Sequence, residues 1–172
     1  VEDKNTVSDF DEEEQTRGFS VNCAVLPLEW QNCKINVLDA PGYMDFVGEV
    51  KSPLHAVDGG VLVICAASGV EVGAELHWRF LEEESRPRLI LINKMDRDNA
   101  SFARSLEALR AKFEKTLVPI QLPIGAQADF AGVVDLIEMK AYLGDDKEAP
   151  IPPEMRAEAE AARTEVMEHA AE

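Results

Sequence analysis

GGVLVICA, residues 59–66, and RLILIN, residues 88–93, decide the fold. Each is an apolar run of strand length, too short for a helix and bounded by turn or polar residues. Between them, residues 72–85 carry Val72, Leu76 and Phe80 on one stripe. After the second run, Phe102, Leu106, Leu109 and Phe113 recur at helical spacing. Continuous apolar strands alternating with amphipathic helices predict an α/β fold, a mostly parallel sheet buried by helices on both faces.

Upstream, residues 1–18 hold seven acids and almost no apolar residues, which reads as a mobile loop. Phe19, Val21, Cys23 and Val25 then alternate with their neighbours as a strand over residues 19–26, and Pro27 marks it as a sheet edge. A turn at residues 31–33 leads into a second strand, KINVLD, so the pair predicts a hairpin. Residues 45–57 read as a helix in which Pro53 introduces a kink or deletes a hydrogen bond. From Val118 the character changes. VPIQLPIG and FAGVVDLIEMKAYL are strand-like, and GDDKEAPIPPE is a proline-rich acidic connector. Residues 153–172 form a helix opened by Pro152 and Pro153, with Met155, Ala159, Ala162, Val166 and Ala170 as its stripe. A boundary is expected near residue 122.

The totals narrow the function. Lys and Arg number 17 against 33 Asp and Glu, a formal charge of -16, so the overall field repels free DNA and anionic membranes and confines any RNA contact to a local patch. The longest apolar run, residues 61–67, cannot span a bilayer, and the acidic opening is no secretory or transit signal, so a cytoplasmic location is expected. Cys23, Cys33 and Cys65 form no CxxC pair and are expected to be reduced. The three histidines are scattered, which argues against a metal site built from nitrogen and sulfur. The start at Val1 and the end within a helical pattern read as two cut ends.

In open parallel sheets, ligands bind at the carboxyl ends of strands. Two polar stretches occupy that place: Asp39-Ala40-Pro41-Gly42 after INVL, and Asn93-Lys94-Met95-Asp96 after LILI. An aspartate there can hold Mg²⁺ through water, and a glycine lets a backbone N–H approach a phosphate. A fixed carboxylate such as that of Asp96 can accept from both N1–H and the exocyclic amine of guanine, a donor pair that adenine lacks on that edge. Lys94 can lay its stem along the base, and Asn93 can tie the loop to its neighbours. The competing reading makes both stretches plain turns, with Asp39 capping a helix in the first and Asp96 or Asp98 in the second.

Together TVSDFDEEEQTRGFSV, DAPGYMDFVGEV, VDGGVLVICAASGV, NKMDR and PIQLPIGAQADFAGVVDLIEMKA resemble bacterial translation elongation factor G, a ribosome-dependent GTPase. The likeness covers nearly the whole chain. The last stretch is similar to the start of the subdomain that this family inserts into its GTPase domain. The resemblance implies a P-loop GTPase-type sheet over residues 19–122, a first switch loop at 1–18 and the start of the inserted α+β subdomain at 123–172. It implies GTP or GDP with Mg²⁺ as ligands, and the ribosome, including its stalk, as partner. Asp39 and Ser20 would hold the metal, Gly42 the γ-phosphate, and Asn93, Lys94 and Asp96 the guanine. Ser20 stands where the family has a threonine, and its hydroxyl can do the same work.

Three features depart from the family pattern. No G-x-x-x-x-G-K-[ST] occurs in the sequence, so the first strand and phosphate loop are expected to be absent and this chain alone is expected to bind GTP weakly or not at all. Tyr43 occupies the position of the family's catalytic histidine, which orients the attacking water. A phenol is longer and places its oxygen elsewhere, so the parent protein either hydrolyses slowly, as a GTP-dependent ribosome binder, or uses the phenol adequately. Pro53 interrupts a helix that the family continues. The acidic helix at 153–172 is either a solvated face or a stalk contact, and the two readings are compatible.

Overall fold

The computed structural model describes residues 6–144 and 147–171. The chain forms two compact units. One comprises the chain up to Leu62 together with Glu71–Leu91, the other Val63–Val70 together with the chain from Ile92 onward.

The first unit opens with a helix where the sequence suggests only a loop: α1, Glu12–Arg17. Asp11 caps it, and Glu14 reaches back to the Asp11 amide, a reciprocal capping box. Three acids in the first turn suit the positive end of the helix dipole. Gly18, at φ 74°, reverses the chain.

Strand β1, Ala24–Trp30, pairs antiparallel with β2, Cys33–Asp39, so that Ala24 faces Asp39 and Trp30 faces Cys33. The strand expected at 19–26 begins later because the amides of Val21 and Asn22 are given to the Glu14 carboxylate instead of a partner strand. Pro27 lies opposite Asn36, tolerated because the ladder has only two strands. Gln31 and Asn32 turn the hairpin with φ of 46° and 63°, the left-handed pair that matches strand twist. After a 3₁₀ turn at Met44–Phe46, α2 runs Val47–Leu54. Pro53 falls in its last turn, where it deletes one amide donor, and the helix stops at Leu54, short of residue 57.

Strands β3, Gly60–Cys65, and β4, Arg88–Asn93, flank helix α3, Val72–Glu83. The Gly60 amide donates to the Pro87 carbonyl and the Ala66 amide to the Asn93 carbonyl, the same offset at both ends, which only parallel strands allow. Helix α3 buries Trp78, Phe80 and Leu81, whereas Val72, assigned to the stripe from sequence, is 69% exposed. The predicted stripe thus holds at Phe80 and fails at Val72, and Trp78 and Leu81 widen the buried face. The guanidinium of Arg88 lies over the Trp78 ring, 4.4 Å from its centroid.

Two expectations need correction. The described strands form three separate sheets, a parallel pair, a hairpin and an antiparallel meander, rather than one mostly parallel sheet, because no described strand bonds to both β2 and β3. The two central runs are not buried on both faces. Leu62 and Ile64 are inside, but Val61, Val63, Leu89 and Leu91 are exposed.

In the second unit, Ser101 caps α4, Phe102–Phe113, which buries Ser105, Leu109 and Phe113. Strands β5 (Gln121–Ile124), β6 (Gly132–Asp135), β7 (Lys140–Leu143) and β8 (Lys147–Ala149) form the meander in sequence order. Strand β8 lies inside the stretch read as a connector. Helix α5, Arg156–Ala171, follows a 3₁₀ turn at Pro153–Met155. Leu122, Val134, Leu136, Ala141 and Ala159 make the core, with Met155, Ala162 and Val166 packed against it. The predicted stripe thus holds except at Ala170, which is exposed.

Candidate functional site

The first unit carries Ser20, Asp39, Gly42 and Tyr43. Asp39 ends β2, half-buried, and the buried Pro41 anchors the turn that follows. A Cβ built on Gly42 would meet nothing within 4 Å, so the backbone there faces open space that a phosphate could enter. Behind it, a Cβ on Gly73 would come within 3.1 Å of the Gly42 carbonyl oxygen. The first turn of α3 therefore backs the glycine turn closely.

Tyr43 is 55% exposed, and its ring lies 4.5 Å from that of Phe19, tilted by 48°. Phe46 flanks Phe19 at 6.4 Å. Since Phe19 precedes Ser20, this contact brings the segment around Ser20 and the DAPGY turn into one neighbourhood. The Ser20 hydroxyl donates to Asp9 Oδ1 at 2.7 Å, and the other carboxylate oxygen of Asp9 accepts from the Thr6 hydroxyl at 3.4 Å. Glu14 is almost wholly buried. The amides of Asn22, Val21 and Asp11 hold its carboxyl below its ordinary range. Burial pushes the Cys23 thiol upward, and the charges of Glu49 and Asp39 add to this. Cys23, Cys33 and Cys65 are all free thiols.

The second unit carries the other loop. Met95 is buried with Ala66 and Ala100, and its carbonyl accepts the Gln127 amide at 2.8 Å. Asn93 Oδ1 accepts the Lys94 amide at 2.8 Å, and Lys94 takes φ 60°. Tied down in this way, the loop leaves the side chains of Asn93, Lys94 and Asp96 exposed. Next to it, hydrogen bonds from the Ser68 amide, helped by the Ala67 amide, the Ser68 side chain and the charge of Lys94, lower the Cys65 thiol pKa.

The capping alternatives do not hold. Helix α4 is capped by Ser101, whose oxygen accepts the Arg104 amide, so neither Asp96 nor Asp98 serves there. The 3₁₀ turn and α2 have Tyr43 and Phe46 at their caps, without side-chain bonds, so Asp39 caps neither.

Ser20 and Asp39 are hard oxygen donors of the kind Mg²⁺ takes. No cluster of three or more His, Cys, Asp or Glu suited to a metal occurs among the described residues. A magnesium ion held by Ser20 and Asp39 would draw its remaining ligands from water and phosphate. Asp9, Glu14, Phe19 and Met95 carry weight that sequence reading did not assign. Of these, only Glu14 had a visible signal, the Asp11-x-x-Glu14 spacing of a capping box.

A parallel strand pair joined through a helix, with a polar loop at the carboxyl end of its second strand, matches the framework of a P-loop GTPase domain. The chain belongs to the elongation factor Tu GTP binding domain family, whose model matches residues 1–170. Elongation factor G of Granulibacter bethesdensis is 39% identical over 99% of this chain and 26% of its own length. That of Mycoplasma pneumoniae is 38% identical over 98% of this chain and 25% of its own. A solved structure from Thermus thermophilus superposes with a TM-score of 0.89 at 34% identity, covering 97% of this chain and 26% of that one. The chain thus spans about a quarter of the length of these relatives. The resemblance to elongation factor G read from the sequence is confirmed. No helix among the described residues is long and apolar enough to cross a membrane.

Proposed function

We propose that this chain is the guanine-nucleotide-handling part of a cytoplasmic, ribosome-associated translation factor that couples GTP hydrolysis to movement or recycling of the ribosome. The observation that carries this is the Asn93–Asp96 loop at the end of a parallel strand. Its backbone and Met95 are anchored while its three polar side chains face outward, and its aspartate is not spent on a helix cap. Asp96 reads the guanine edge, Lys94 and Asn93 support the base, Gly42 approaches the γ-phosphate, and Ser20 and Asp39 hold Mg²⁺. When bound, that ion neutralises phosphate charge. Residues 1–18 act as the first switch, 19–122 as a GTPase core without its first strand and phosphate loop, and 123–172 as the start of an inserted subdomain whose acidic helix meets the ribosomal stalk. By itself the chain binds GTP weakly or not at all.

The test is competition binding on the full-length protein. A fluorescent GDP analogue should be displaced by GTP at far lower concentration than by ATP, and Asp96→Asn should reduce that preference by about 10²-fold or more, since a buried hydrogen-bonding group left unmatched carries such a penalty. Equal displacement by ATP and GTP from the unaltered protein would defeat the reading.

A second reading, a factor that binds GTP as an ordering ligand and hydrolyses it slowly, is favoured by the Tyr43 ring resting against Phe19. It expects Tyr43→His to raise ribosome-stimulated turnover by about 10²-fold, the usual effect of one misplaced orienting contact. Unchanged turnover would return Tyr43 to the role of an adequate substitute.

A further inference from the structure

We infer that Asp9 is a positioning residue for Ser20, holding the serine hydroxyl so that its lone pairs are available to a divalent cation. The inference rests on the proposed guanine-nucleotide reading and deepens it. A serine hydroxyl has one proton and two lone pairs, and a free rotor presents the proton to a cation as readily as the oxygen. Here the proton is committed. It lies on a 2.7 Å bond to Asp9 Oδ1, short enough to be charge-assisted, which leaves the lone pairs free and makes the oxygen a better donor.

Asp9 can hold that position because it is itself constrained. Only 8% of it is exposed, and its second oxygen takes the Thr6 hydroxyl. The far side of the contact is constrained as well. Gly18 reverses the chain, and Glu14 Oε1 accepts the Val21 and Asn22 amides at 2.9 and 3.0 Å, fixing the backbone just after Ser20. The two carboxylates have distinct tasks. Glu14 fixes where residue 20 lies, and Asp9 fixes how its hydroxyl points. The acidic segment is thereby arranged around the serine.

Two measurements on the full-length protein test this. Without metal or nucleotide, the Ser20 side-chain couplings measured by NMR should show one χ1 rotamer, averaged in Asp9→Ala and restored in Asp9→Asn, whose amide oxygen still accepts. Averaged couplings in the unaltered protein would overturn the inference whether or not Asp9→Ala folds. Next, Mn²⁺ serves as a paramagnetic probe, titrated with a non-hydrolysable GTP analogue present. Asp9→Ala should raise the half-saturating Mn²⁺ concentration by about tenfold, the usual cost of losing a group that orients a metal ligand. In a Ser20→Ala background the same change should add nothing. An unchanged Mn²⁺ titration in Asp9→Ala, or an equal loss without the Ser20 hydroxyl, would overturn the positioning role while leaving nucleotide binding intact. Failure of the unaltered protein to bind the analogue would instead remove the functional reading and this inference with it.

Discussion

Glu14 is a charged residue in a place where charge is normally expelled, and it is stable there because three backbone amides point at it. His77 is the opposite case. Its Nε2 is buried with no hydrogen-bond partner, and burial lowers its pKa. Both shifts make acid destabilising, in separate windows. For His77, the folded pKa lies below the ordinary 6.5, so its contribution is intact above that value and declines as pH falls beneath it. For Glu14, the contribution is intact above the ordinary 4.5 and is lost as pH falls through the lowered folded value. Urea midpoints measured from pH 8 down to pH 3 should therefore fall in two stages. His77→Leu should remove the upper stage only. Glu14→Gln should lower stability at neutral pH by about 1–3 kcal/mol, the worth of hydrogen bonds to a charged group, and flatten the lower stage. A single stage that neither substitution alters would contradict this account.

Among the elements, the antiparallel meander depends on a close backbone approach at Gly132. That residue has φ 156°, and a Cβ built on it would collide with the Tyr142 carbonyl across the β6–β7 ladder. Gly132→Ala must therefore part the strands or twist the backbone. A loss of about 2–4 kcal/mol in urea unfolding is expected, placing it among severe single substitutions. Gly144→Ala, where a Cβ meets nothing within 4 Å, is the matched control and should change little. Much at this scale was legible in the sequence. The Phe102 to Phe113 spacing reports its helix because burial has the same period as the backbone, whereas LILI is legible through its length and its bounding residues. What escaped was decided by partners far along the chain. The first strand starts at Ala24 rather than near residue 19 because Glu14 takes the intervening amides, and no local pattern at residues 19–26 records that. Of the stripe read for the third helix, Phe80 is buried and Val72 is exposed, because Val72 is the first residue of the helix, a place that periodicity does not mark.

For the whole molecule, two features oppose each other. A net charge of -16 keeps copies apart, while Val61, Val63, Leu89, Leu91 and Trp30 leave apolar surface in water. Charge repulsion between copies weakens as the Debye length shrinks from ~30 Å at 0.01 M salt to ~3 Å at 1 M, whereas apolar attraction does not. Light scattering of the 172-residue chain should thus show self-association growing as salt rises across that range. Val63→Lys with Leu91→Lys should suppress it despite reducing the net negative charge. Association that instead diminishes with salt would identify ion pairs, not the apolar strands, as its cause.

By itself the sequence determined the class of the chain and the chemical character of its loops. An apolar run followed at once by Asp39 or Asn93 carries that information locally, as the run itself and the place where it stops. Only the tertiary structure decided how those loops are held. The Ser20–Asp9 bond, the Phe19–Tyr43 contact and the burial of Met95 join residues that the chain must bend back to bring together, and which partner a side chain meets depends on that path rather than on its neighbours in sequence.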